Sequence, residues 1–225
     1  GHRVLMWGGR SRLEGAIQYT MHSDLWAFDL ASETWKILPW FQGPAARVNA
    51  AFVVDPSRNQ AVLFGGNTSP DGAAYAAQKD TWVLDLETYA WTPLATGPGP
   101  AARLFPGALW DATRDTLVVY GGADNNAFAQ TATYKDDMWA LDFSLGSPAW
   151  TSLDGGGPRP DGRFWATIAA GTDGAYYLFG GHDDGQLGNR NDLSRFDPGP
   201  GTWTAVRIGD TWNKPANGFC SFPPD

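Results

Sequence analysis

The 225-residue chain holds a single cysteine, Cys220, only three histidines, and no apolar run near the ~20 residues of a membrane span. One cysteine rules out an internal disulfide and any all-cysteine metal site. His2, His22 and His182 stand far apart in sequence, a poor basis for a multi-histidine centre. Cations are also short: 16 Lys and Arg against 24 Asp and Glu give a formal net charge of −8. That balance argues against a nucleic-acid backbone or an anionic membrane as the main partner, because both demand clustered positive charge. No long window of ~3.6-residue apolar periodicity marks a helix. Gly-x-Ser-x-Gly elbows, phosphate loops and His-Glu-x-x-His motifs are missing. No leader peptide is visible, but the chain opens almost inside a strand, so its compartment is left open.

What the chain has in quantity is glycine (28), proline (16) and tryptophan (12), the composition of short strands joined by tight turns. These residues recur in order. A short apolar run ending in an aromatic is stopped by two glycines at Trp7-Gly8-Gly9, Phe64-Gly65-Gly66, Tyr120-Gly121-Gly122 and Phe179-Gly180-Gly181. The first glycines are 57, 56 and 59 residues apart, a period that means an array of supersecondary units. A polar loop follows each pair, and then a second phrase, Asp24-Leu25-Trp26, Asp80-Thr81-Trp82 and Asp137-Met138-Trp139. Its fourth copy, Asp192-Leu193-Ser194, has lost the tryptophan. Apolar positions alternate along these runs, as in half-buried strands. Trp35, Trp91, Trp150 and Trp203 open a further strand. The remaining strand follows Pro-Ala-Ala-Arg47, Pro-Ala-Ala-Arg103 or the looser Pro160-Asp161-Gly162-Arg163, and is expected over 48–54, 104–110 and 164–170. The unit is thus four antiparallel strands in roughly 56 residues.

Glycine pairs after an aliphatic–aromatic run, a downstream Asp-x-Trp-x-x-Asp and a spaced tryptophan resemble the kelch motif, whose repeats form the blades of a β-propeller. The resemblance covers essentially the whole chain. Two features depart from it: the loops after the glycines are longer, and the histidine often found shortly after the arginine is absent from every copy. The implied fold is all-β, with blades at about 1–42, 43–98, 99–157 and 158–211 and a tail at 212–225. Blade one lacks its first strand. Residues 215–223 read as a worn copy of 44–52, so either the tail closes a four-bladed ring or the chain is part of a larger one. Elementary packing agrees with an array. A twisted sheet cannot bury both faces alone, whereas stacking on like sheets buries them and leaves short edges.

In a repeat protein, whatever recurs is explained first by the scaffold. The glycine pairs (Gly8, Gly9, Gly65, Gly66, Gly121, Gly122, Gly180, Gly181) are read as strand-end positions. Trp26, Trp82, Trp139, Trp35, Trp91, Trp150 and Trp203 are read as core, not as a sugar platform. Arg47, Arg103 and Arg163 enter the innermost strand and are expected at the channel mouth, as structural groups or an anion site. Function is sought instead in what does not recur, the long loops at 10–23, 67–79, 123–136 and 182–191, which share one face. The candidate partner-binding residues there are Arg10, Arg12, Tyr19, Asp71, Tyr75, Asn125, Asn126, Phe128, Tyr134, His182, Asp183, Asp184 and Arg190. Trp40 and Phe41, an unrepeated aromatic pair on the same side, join them because exposed aromatics and arginines anchor protein interfaces. His182-Asp183-Asp184 lacks the alternating spacing of a calcium loop and is read as a polar loop. No metal or cofactor is expected.

The resemblance implies a non-enzymatic scaffold that docks a protein partner on the long-loop face. Some kelch-like propellers are enzymes. Copper oxidases of galactose use a Cys–Tyr crosslink with histidine ligands, which Cys220 in the tail and three histidines do not match. A carbohydrate-binding or mutarotase-like site at the arginine-lined mouth stays as an alternative, as does a structural subunit of a larger assembly. Asn67-Thr68-Ser69 has the form of a glycosylation sequon, which is weak evidence for any compartment.

Overall fold

The computed structural model describes residues 2–39, 41–70, 74–129, 131–183 and 188–209. Trp40, Asp71, Asp184 and the suggested closing strand at 215–223 lie outside them. Among the described residues there is no helix, so none is long and apolar enough to cross a membrane. Four antiparallel sheets run in chain order. The first has three strands, β1 (Arg3–Ser11), β2 (Thr20–Asp29) and β3 (Thr34–Ile37). The second holds β4 (Ala51–Asp55), β5 (Gln60–Phe64), β6 (Thr81–Asp85) and β7 (Trp91–Leu94). The third holds β8 (Gly107–Asp111), β9 (Thr116–Tyr120), β10 (Met138–Asp142) and β11 (Ala149–Ser152). The fourth holds β12 (Thr167–Ala170), β13 (Tyr176–Asp183), β14 (Gly188–Asp197) and β15 (Thr202–Arg207).

The sheets stack face to face. Ala61 and Leu63 of β5 pack with Leu25 and Ala27 of the first sheet, while Val62 and Phe64 turn the other way onto Leu117 and Val119 of the third. A strand sandwiched on both faces reads as a continuous apolar run, and so do β5 and β9. Leu109, Val118, Tyr120 and Met138 meet Ile168, Tyr176, Leu178 and Phe196 in the third seam. Among the described residues no such cluster joins the fourth sheet to the first, and over those residues the array is open.

That opening corrects one expectation. Trp91, Trp150 and Trp203 all face the sheet before their own, and the first two are only 8% exposed. Trp35 faces the same way but belongs to the first sheet, meets no earlier sheet among the described residues, and is 50% exposed. Trp82 and Trp139 are half-buried against the same clusters, and Trp26 lies on the outer face with Trp35.

The glycine pairs make the seams. In three repeats the second glycine donates its N–H to the carbonyl of the next sheet's arginine: Gly9 to Arg47 at 3.0 Å, Gly66 to Arg103 at 3.0 Å, Gly122 to Arg163 at 2.8 Å. A Cβ on the first glycine would stand 2.6, 3.0 or 2.5 Å from that same oxygen, and φ there is +71°, +70° or +65°. Only glycine tolerates both the close approach and the left-handed backbone. At the opposite end of the strands a second set of ties crosses each seam. Arg3 donates to Tyr89 Oη, Arg58 to Asp115 and the Phe143 carbonyl, and Arg114 to the Gly174 carbonyl.

Two strand boundaries differ from expectation. The inner strands begin about three residues late, at Ala51, Gly107 and Thr167, because Asn49, Phe105 and Trp165 take left-handed φ of 61°, 55° and 57°. The first and fourth long loops are strand at both ends: after a bulge at the glycines, pairing resumes as far as Ser11–Thr20 and Asp183–Gly188.

Gly121→Ala and Gly156→Ala separate seam from backbone strain. Both positions have positive φ, but nothing lies within 4 Å of a Cβ at Gly156. Each substitution is expected to cost about 1–2 kcal/mol of left-handed strain. Gly121→Ala additionally displaces the Arg163 carbonyl and should lower the melting temperature further, by about 2–4 °C per extra kcal/mol. Equal drops measured by calorimetry would mean the pair has no special part in the seam.

Candidate functional site

The three arginines expected at the channel mouth are buried, at 2%, 0% and 1% exposure for Arg47, Arg103 and Arg163. Each folds back on its own sheet. Arg103 donates Nε–H to the Ala101 carbonyl, shares Nη1 between the Gly121 carbonyl and Asp137, and places Nη2 on the second Asp137 oxygen at 2.9 Å. Arg47 repeats this with Ala45, Gly65 and Asp80. Arg163 does so with Asp161, Gly180 and a single oxygen of Asp192 at 2.6 Å. The carboxylates also accept the indole N–H of Trp82 and Trp139. Burial alone would raise the Asp80 and Asp137 carboxyls, but the arginine and indole donors outweigh it and hold both below the ordinary value. The recurring aspartates that open the second phrase are therefore seats for a buried cation.

The long-loop face is built around the residues two after those arginines. Phe105 and Trp165 sit where Asn49 sits in the second sheet, joined by backbone bonds from Phe105 N–H to the Asn49 carbonyl (2.9 Å) and from Trp165 N–H to the Phe105 carbonyl (3.2 Å). Bulky residues seldom adopt this backbone, which is retained where surrounding structure enforces it. Tyr75 from the second loop, Phe128 and Tyr134 from the third and His182 from β13 converge on Phe105, Phe164 and Trp165. Ring centroids stand 4.7–6.5 Å apart across this group. Phe164 and Phe105 form the floor, at 0% and 5% exposure, whereas Phe128 and Trp165 are 45% and 56% exposed.

Of the loop residues singled out by sequence, Tyr75, Phe128, Tyr134 and His182 come together here. Asn125 is exposed but spends its Oδ1 on the Ala77 N–H of the neighbouring repeat, and the Asn126 backbone N–H donates to Asp124 Oδ1, which caps the turn. Asp183 is buried against Arg190, which also reaches Asp161. His182 Nδ1 lies 2.8 Å from Asn189 Oδ1. Arg10 and Arg12 stack on Tyr19, 4.0 and 5.0 Å from its ring centre, on the first hairpin and away from the cluster. Phe41 is 52% exposed. Among the described residues no group of three or more His, Cys, Asp or Glu is placed to hold a metal. The residues that sequence reasoning missed are Phe105, Phe164 and Trp165. Their signal was a changing residue (Asn49, Phe105, Trp165) at a fixed distance from a recurring arginine, outside the loops where variation was sought.

The family model of the KLHDC2/KLHL20/DRC7 Kelch-repeats domain matches residues 1–222. The chain belongs to the kelch-repeat family. It is 30% identical over 210 residues to Kelch domain-containing protein 3 of Rattus norvegicus, covering 90% of this chain and 50% of that protein. The Homo sapiens protein of that name matches to the same extent. Serine/threonine-protein phosphatase BSL2 of Arabidopsis thaliana is 27% identical over 202 residues, which is 81% of this chain and 19% of that protein. The kelch repeats here thus span about half the length of the first of these relatives and a fifth of the last. Kelch-repeat domains are typically protein-interaction modules.

The ion pair in the third kelch repeat gives a pH test. Asp137 has a lowered carboxyl, so its contribution to stability is present above the unfolded value of about 3.9 and is lost as pH falls through the lower folded value. Asp137→Asn should be about 1–3 kcal/mol less stable at pH 7 and should lose less further stability between about pH 5 and 2 than the natural chain. Parallel acid limbs in denaturant titrations would contradict the seat described for Arg103.

Proposed function

We propose that this kelch array docks a protein partner on its long-loop face, with Phe128 and Trp165 as the exposed anchors. The observation that carries the reading is their setting. Two aromatic rings, each about half exposed, rest on a floor of buried aromatics drawn from successive repeats. Anchors of this kind contribute most when their conformation is held before binding, and the left-handed backbone at Phe128 (φ 67°) and Trp165 (φ 57°) holds them. Phe41, Arg10, Arg12, Tyr19 and Asn126, exposed or half-exposed and assigned to the same side by sequence, would form a polar and aromatic rim. Trp40, Asp71 and Asp184 belong to the proposed face by sequence. A carbohydrate site at the arginines has weaker support, since all three guanidinium groups are buried and already bonded.

The double variant Phe128→Ala/Trp165→Ala tests this. It is expected to keep a cooperative melting transition within a few degrees of the natural chain and to lose partners that the natural chain retains in quantitative co-purification. Glu87→Lys, in an exposed turn at the opposite end of the strands, should retain them. Loss with both variants, or with neither, would remove the assignment to this face.

A further inference from the structure

The fourth repeat carries a vacancy that the repeat pattern itself defines. In the second and third sheets, Trp82 and Trp139 project into the seam with the preceding sheet and donate their indole N–H to Asp80 and Asp137, both at 2.7 Å. The same register in the fourth sheet holds Asp192 and Ser194: Ser194 pairs with Leu178 and Ala205 as Trp82 pairs with Leu63 and Pro93. A hydroxymethyl group cannot occupy the space of an indole. A cleft of about 410 Å³ lies there instead, lined by Pro160, Asp192, Ser194, Trp203, Ala205 and Arg207 among others. Clefts of roughly 300–1,000 Å³ are the size that accepts small ligands.

One polar group in this cleft, the Asp192 carboxylate, has capacity to spare. Arg163 takes one oxygen of Asp192 at 2.6 Å, and the indole donor that the equivalent carboxylates receive is gone with the tryptophan. Trp203 lines the cleft with the face of its ring. Trp203 also lies 5.5 Å from the Tyr120 ring, so the cleft has an aromatic wall.

We infer that this cleft binds an indole-type ring, a planar aromatic group with one N–H donor, in the place the missing tryptophan leaves. The N–H donates to Asp192, and the ring packs on Trp203 and Pro160. The ring can come from a free indole or from a tryptophan side chain of a polypeptide. This site stands apart from the proposed docking face and does not depend on it.

The test is an NMR titration of the natural chain with indole, N-acetyltryptophanamide and 1-methylindole, followed at the Trp203 indole N–H cross-peak. Indole is expected to bind saturably with a Kd on the order of 1 mM. 1-Methylindole, which lacks the donor, should bind about tenfold more weakly or worse. Ser194→Trp supplies the ring in cis and should abolish indole binding while raising the melting temperature by about 2 °C or more. Binding of the amide as well as indole supports the site with a polypeptide as source, and binding of indole alone supports it with a small molecule. No saturable shift up to about 10 mM indole, or equal binding of 1-methylindole, overturns the inference. So does undiminished binding by Ser194→Trp. The N-methyl comparison needs no variant, so the inference stays open to refutation even where Ser194→Trp does not fold.

Discussion

Everything in this array hangs on the carbonyl oxygen of an arginine. In three seams that oxygen sits over a glycine pair of the preceding sheet, accepts the second glycine's N–H, and stands where a Cβ of the first would be. The side chain of the same arginine turns the other way and ties its own sheet together through a glycine carbonyl and an aspartate. One residue therefore sets both the spacing between sheets and the closure of the strand pair within a sheet. A buried guanidinium is costly unless its donors are met, and here three or four acceptors surround each one. The pair contributes less as raw stability than as register, because no neighbouring alignment would satisfy the same set of donors.

That dual role explains why so much of the fold was legible in the sequence. The glycines, the arginine and the aspartate recur at one period because each is fixed by the other two, and the continuous apolar runs of β5 and β9 follow from being buried on both faces. What was not legible lies where the array stops or where local backbone overrides pattern. Trp35 carries the same sequence signal as Trp91 and Trp150, and it is half exposed because no earlier sheet covers it among the described residues. The inner strands start late because three residues flip to left-handed φ, a choice that no alternation of apolar and polar positions encodes. By sequence the arginines are expected at the channel mouth as structural groups or an anion site, since the sequence does not say that their partners are the aspartates about thirty residues on.

The candidate site was half readable for a related reason. Searching the loops for unrepeated residues found Tyr75, Phe128, Tyr134 and His182, which do converge. The floor they converge on comes from residues next to the arginine, inside the recurring frame, where a change from Asn49 to Phe105 to Trp165 was masked by the constancy around it. Repetition supplies a rigid frame, and variation at one frame position then places three different side chains in three equivalent geometries.

The same logic ranks the two functional ideas by what they ask of the fold. An aromatic anchor needs its backbone held, and Phe105 and Trp165 are held by consecutive hydrogen bonds running from sheet to sheet beside the arginine seam. Movement of one sheet would break the Phe105 and Trp165 ties together with the glycine contacts, so the Trp165 anchor and the Phe105 floor beneath it are as stiff as the array. The cleft beside Ser194 draws on the opposite property. It exists because one repeat stopped supplying a side chain that its neighbours still supply, while Asp192 and Arg163 stayed paired. Loss of the tryptophan without loss of its acceptor is the combination that turns a packing position into a binding position.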